Sequence, residues 1–166
     1  MSTSIIIFLL PCLFLFHELE EILMIPSWIK KNNTEMYTRF PKFKSLIWKM
    51  EQITRRKITI IAIEEFLIVF TCTILSEQTG NLAAWYCCLI AFGIHLIIHF
   101  IQFLLWKRYI PAIVTSSLCL PFCIVAFLST YEFFTSYKQV VYALIGILSG
   151  GLNLFIMHMI VNRIRD

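Results

Sequence analysis

The chain is poor in several residues that most enzyme folds depend on. Aspartate occurs once in 166 residues, at Asp166, so no serine–histidine–aspartate set is readable. There are five glycines, none spaced to cradle phosphates, and a nucleotide partner is therefore not expected. Charged residues make up 14% of the chain, against about a quarter in soluble domains. No long polar stretch leaves room for a second, soluble domain. What fills the chain is apolar: 59% of all residues, including fifteen phenylalanines. These features describe one all-α, polytopic membrane domain over residues 1–166.

Six cysteines, at 12, 72, 87, 88, 119 and 123, fall inside apolar segments without zinc-knuckle spacing, and read as small hydrophobes. The opening MSTS carries no basic residue, and no small-residue cleavage pattern follows. The first apolar segment is therefore expected to stay as a membrane helix.

Five segments approach the ~20 residues a membrane helix needs. They are 4–25, 58–76, 82–105, 109–129 and 138–161. Nine basic residues, Lys30 to Lys57, separate the first two segments, and Lys107, Arg108, Arg163 and Arg165 fall on the same side. Of the fourteen basic residues, Lys138 alone lies opposite. The positive-inside rule then puts the N-terminus outside and the C-terminus in the cytoplasm. The expected setting is the plasma membrane of a prokaryote. Between the first two segments, Phe43, Leu46, Ile47, Met50 and Ile53 recur at helical spacing opposite Lys42, Lys44, Lys49, Gln52 and Arg56. That pattern predicts an interfacial amphipathic helix over 42–56, lying on anionic lipid. Nucleic acid is not an expected partner, because the basic residues are interleaved with membrane-seeking aromatics; membrane lipid is.

All four histidines and half of the ten acids lie within the apolar segments, with no lysine or arginine in a helix interior to pair with them. Each ionised group at mid-bilayer costs about 2.5–3.5 kcal/mol on insertion scales. At about 1.5 Å per residue, His17, Glu64, Glu65, His95, His99 and Asn153 all fall about 9–15 Å from the cytoplasmic ends of their helices, and Glu21 about 6 Å. The charge rule set those orientations without reference to these residues, yet four helices carry their polar groups in one layer. His17, Glu20 and Glu21 share a face at i, i+3, i+4, as do His95, His99 and Gln102. Gly146, Ser149, Gly150 and Asn153 form a small-residue stripe suited to close helix packing, with Asn153 also able to hydrogen-bond a ligand. His158, on another face near the membrane edge, reads as structural.

Imidazole and carboxylate without thiolate suit zinc, iron or manganese. Helix bundles build one- and two-metal sites from such residues at helical spacing. Two divalent ions would balance Glu20, Glu21, Glu64 and Glu65; one ion would leave some of these protonated. The favoured ligands are His17, Glu20, His95 and His99. Glu21 and Glu64 would bridge or complete the sphere, and Glu65 and Glu21 are the candidate catalytic carboxylates, with Glu65 as general base. Glu18, Gln102 and Asn153 would lie beside the ligands or touch substrate.

The run His17-Glu18-Leu19-Glu20-Glu21 is not the metalloprotease motif, because glutamate stands where the second histidine would be. It resembles the signature of the HXXEE-domain proteins, small integral membrane proteins with several helices. The resemblance implies a membrane fold and marks His17, Glu20 and Glu21; it implies no reaction. The leading functional expectation is a metal-dependent membrane enzyme acting on a lipid or amphiphile, by hydrolysis ahead of oxidation. A proton or metal-ion transporter, and a structural or partner-binding membrane protein, are the alternatives.

Overall fold

A computed structural model describes residues 3–164, and they form helices and short connections. The helices are α1 (Thr3–Arg39), α2 (Lys44–Glu51), α3 (Arg55–Thr79), α4 (Ala83–Trp106), α5 (Ile113–Thr130) and α6 (Ser136–Val161). Single turns of 3-10 helix precede α2 (Pro41–Phe43) and follow α5 (Tyr131–Phe133). Among the described residues, four helices are long and apolar enough to cross a membrane: α3, α4, α5 with its following turn, and α6.

The first segment runs further than the expected 4–25. α1 continues through both Pro11 and Pro26 to Arg39. A proline inside a helix frees carbonyls about one turn earlier, and in lipid these need new donors. Pro11 has one, and Pro26 has a donor on the carbonyl next to the one it frees. Trp85 Nε1 donates to Ile7 O at 3.0 Å, four residues before Pro11. Arg55 donates to Leu23 O at 3.4 Å, three residues before Pro26. Replacing Trp85 with phenylalanine should therefore lower stability by about 1–3 kcal/mol, through the orphaned Ile7 carbonyl. Thermal unfolding in detergent reads this, and an unchanged midpoint would contradict it.

Beyond Pro26, α1 is held by packing: Met36 is buried with Ile47, Trp106, Ile110 and Ile113. Arg39 donates to Trp106 O at 2.6 Å and lies over the Trp106 ring, which places a cation on the carbonyl end of α4. The amphipathic helix is shorter than the expected 42–56. Thr54 accepts from Lys57 N and caps α3, so Arg55 and Arg56 open α3 instead of closing α2. Ile47 packs inward, while Phe43, Leu46 and Trp48 stay exposed.

α4 is central, packing on α3, α5 and α6, while α1 packs on α3 and α5. Ile7, Leu10, Phe14 and His17 of α1 lie on one buried stripe, as do Trp85, Leu89, Phe92, Leu96 and His99 of α4. The histidines thus continue the core stripes instead of interrupting them. On α6, a Cβ at Gly146 would meet the Cys87 backbone, so the glycine is what lets α6 reach α4. Gly80, with φ +69°, ends α3, and its N–H returns to Ser76 O at 3.0 Å. The α4–α5 connection uses two left-handed residues that are not glycine, Lys107 (φ 60°) and Ala112 (φ 68°). That conformation is costly for a residue with a Cβ. It turns the chain back so that the first turn of α5 faces α1.

Candidate metal centre

Three imidazoles and one carboxylate converge where α1 and α4 meet. Nε2 of His95 is 3.1 Å from Nε2 of His17 and 3.0 Å from Nε2 of His99. Oε1 of Glu21 is 2.8 Å from His99 Nε2, 3.4 Å from His95 Nε2 and 3.8 Å from His17 Nε2. All four ligand atoms lie within 4.8 Å of one another. Protons alone satisfy this arrangement poorly, because one proton serves one pair and each nitrogen here faces several partners. A cation among them would serve all four. Ligands about 2.0–2.1 Å from a tetrahedral zinc stand about 3.3–3.4 Å apart, and the five distances above bracket that spacing. The residues present therefore fit a divalent transition metal.

The surroundings are asymmetric. The Phe92 and Phe14 rings pack with their planes tilted at 5.3 Å, and Phe92 meets His17 edge-on at 5.7 Å, which closes the centre on the side of the apolar core. His17 is fully buried, whereas the His95 side chain is 29% exposed and forms the open side. Glu18 is buried, with its carboxyl in electrostatic range of Glu21, His95 and Glu65.

Glu20 faces away from the three imidazoles. Its Oε2 accepts from Thr115 N at 2.9 Å and Thr115 Oγ1 at 2.7 Å, and its Oε1 accepts from Tyr109 Oη at 3.0 Å. An anion on the free N–H groups of a helix start is favourable. The Tyr109 phenol lies in the α4–α5 connection and is pushed up to about 12, by burial first and then by Glu20. It therefore stays a donor. Thr115 Oγ1 is also 2.9 Å from His17 Nδ1. Thr115 and Tyr109 escaped the sequence reading. The cluster Thr115-Ser116-Ser117 in the first turn of α5 was the available signal.

Glu64 accepts from Asn153 Nδ2 at 3.0 Å, and Glu65 also contacts Asn153. Glu64, on α3, is thus engaged by α6 and lies outside the group of four, and Glu65 is in electrostatic range of His95 and Glu21. Gln102 is exposed, and His158 is half-buried outside the group.

A family model described as a protein of unknown function with HXXEE motif matches residues 8–126, more than half of the chain. The chain belongs to this HXXEE family. The motif itself is His17, Glu20 and Glu21, so one motif supplies two members of the metal-sized group and the carboxylate that holds Thr115. The HXXEE match runs from α1 into α5 and takes in all four candidate ligands and Thr115; α6, with Asn153, lies beyond it. No curated protein and no solved structure matches the chain.

Proposed function

We propose that this HXXEE protein is a metal-dependent membrane enzyme acting on a lipid or similar amphiphile, with one divalent ion held by His17, Glu21, His95 and His99. The observation that carries this reading is the convergence of those four ligand atoms within 4.8 Å, inside apolar helices. Coordination number bears on the choice of metal. Four protein ligands fill the tetrahedron of a structural zinc site, whereas six-coordinate manganese or iron keeps two positions for water and substrate. Manganese or iron is therefore the metal we assign to an active enzyme. A bound ion of this kind lowers the pKa of a water that it holds. Glu65, in electrostatic range of His95 and Glu21, would be the general base for such a water. Hydrolysis is thus the favoured reaction, and oxidation of an acyl chain the next.

The substrate class follows from the setting. The first 23 or so residues of α1 run antiparallel along α3: Ser4 Oγ donates to Glu77 at 2.8 Å at one end, and Arg55 meets Leu23 at the other. If α3 spans, that half of α1 spans too, giving five crossings. The remainder of α1 and the exposed Phe43, Leu46 and Trp48 of α2 then rest at the basic, cytoplasmic surface. A centre at this depth is within reach of lipid linkages just under the headgroups.

The test is metal analysis of protein purified in nanodiscs, followed by incubation with a lipid extract and mass spectrometry of the products. Stoichiometric manganese or iron with products that differ from substrate by water is expected. Metal-bound protein that converts no lipid class, by hydrolysis or oxidation, would contradict the enzyme reading. Ion flux in proteoliposomes would replace it with transport.

A further inference from the structure

We infer that Thr115 is a positioning residue for the metal centre: its hydroxyl, held by Glu20, fixes His17 as the tautomer that presents Nε2 to the ion. This rests on reading the four-residue group as a metal site, and adds residues from α5 and the α4–α5 connection to it.

The argument is one of proton accounting. A threonine hydroxyl has one proton to give and can accept at the same oxygen. Thr115 Oγ1 has three neighbours: Glu20 Oε2 at 2.7 Å, His17 Nδ1 at 2.9 Å and Ala112 O at 3.3 Å. The carboxylate is the nearest and the only charged acceptor, so the proton goes there. Oγ1 is then left as an acceptor, and His17 Nδ1 must supply the N–H. A neutral imidazole protonated at Nδ1 carries its lone pair on Nε2. That is the atom facing His95 and Glu21.

Each partner in this chain is itself fixed. Thr115 N also donates to Glu20 Oε2, at 2.9 Å, and Tyr109 donates to the other oxygen. The left-handed residues Lys107 and Ala112 aim the turn that presents both donors. His99 offers a contrast, since its Nδ1 is buried without a hydrogen-bond partner. Among the three imidazoles, His17 is therefore the one held by an ordered chain of donors. The motif's first glutamate acts through threonine on its histidine, and the second meets the ion.

The experiment compares zinc affinity, by competition with a chromophoric chelator, for wild type, Thr115→Val and Thr115→Ser in nanodiscs. Loss of a group that orients a ligating histidine weakens metal binding about 10- to 100-fold. The valine variant should show that loss at unchanged stoichiometry, and the serine variant should stay within about threefold of wild type. Wild type that binds no zinc, manganese or iron would remove the metal reading itself. Wild type that binds zinc while Thr115→Val binds equally well would overturn the role of Thr115 alone. Should the valine variant not fold, ¹⁵N-histidine spectra of zinc-loaded wild type decide the matter, with the His17 signals assigned in the metal-free protein by their loss in His17→Gln and followed through a zinc titration. Protonation at Nδ1 with ligation through Nε2 is expected; ligation through Nδ1 would overturn the inference.

Discussion

Replacing His17 with glutamine should abolish stoichiometric metal binding, taking the content from about one ion per chain to less than a tenth after desalting. His17 is fully buried and faces both His95 and Glu21, so its loss removes one of the four ligands. Glutamine keeps much of the volume, which separates loss of the ligand from loss of packing. Binding energies at structural zinc sites run to about 10–16 kcal/mol, and one ligand is a large share of that. His95→Gln, His99→Gln and Glu21→Gln should behave alike. Glu20→Gln and Glu64→Gln should not: both carboxylates are engaged elsewhere, with Thr115 and Tyr109 in one case and Asn153 in the other. These two variants should still bind one ion per chain, with Glu20→Gln weakened through Thr115. Elemental analysis by mass spectrometry, on protein shown monodisperse by gel filtration, separates the two groups. Equal loss in all six would mean that the distinction between Glu20 and Glu21 is wrong.

Gly146→Val should destabilise the bundle by about 3 kcal/mol or more, at or above the upper end of overpacking costs in well-packed cores. The added carbon meets the Cys87 backbone, which cannot swing aside as a side chain would. One turn further along, a Cβ at Gly150 would touch Ala91 Cβ at 3.0 Å, so the two helices have no slack along this seam. Gly151→Ala is the control: nothing lies within 4 Å of its added carbon, and its effect should be small. Unfolding of α6 away from α4 would also free Glu64 from Asn153. The four candidate ligands sit on α1 and α4, so protein that remains folded should retain its metal. Thermal or denaturant unfolding in micelles, paired with metal content, reads both effects.

Much of this arrangement was legible before any coordinates, and the reason is electrostatic. Ionisable groups are so costly in apolar helices that their positions carry information, and the basic residues orient the helices independently. That argument favours His17, Glu20, His95 and His99 as ligands, with Glu21 and Glu64 to complete the sphere; the structure brings the ligand atoms of His17, Glu21, His95 and His99 within 4.8 Å and leaves Glu20 and Glu64 outside. What helical spacing cannot do is choose between Glu20 and Glu21. Positions i+3 and i+4 flank the same face, and the choice was made by α5, which supplies Thr115 from a position 95 residues away in sequence. That contact depends on left-handed turns at Lys107 and Ala112, where the sequence offers no glycine or asparagine as a cue. The length of α1 was hidden for a related reason. Pro26 is a strong stop signal in water, but the cost of continuing is offset here by Arg55 and by burial of Met36 against Trp106. Neither partner is local. The start of α3, by contrast, did have a local sign in Thr54, a good N-cap directly before Arg55.

X-ray absorption spectroscopy of the purified, metal-loaded protein tests the central claim most directly. The account predicts one ion surrounded by three imidazoles and at least one carboxylate oxygen. An ion with a single imidazole or none, or with thiolate sulfur at about 2.3 Å, would show that His17, Glu21, His95 and His99 do not share a metal.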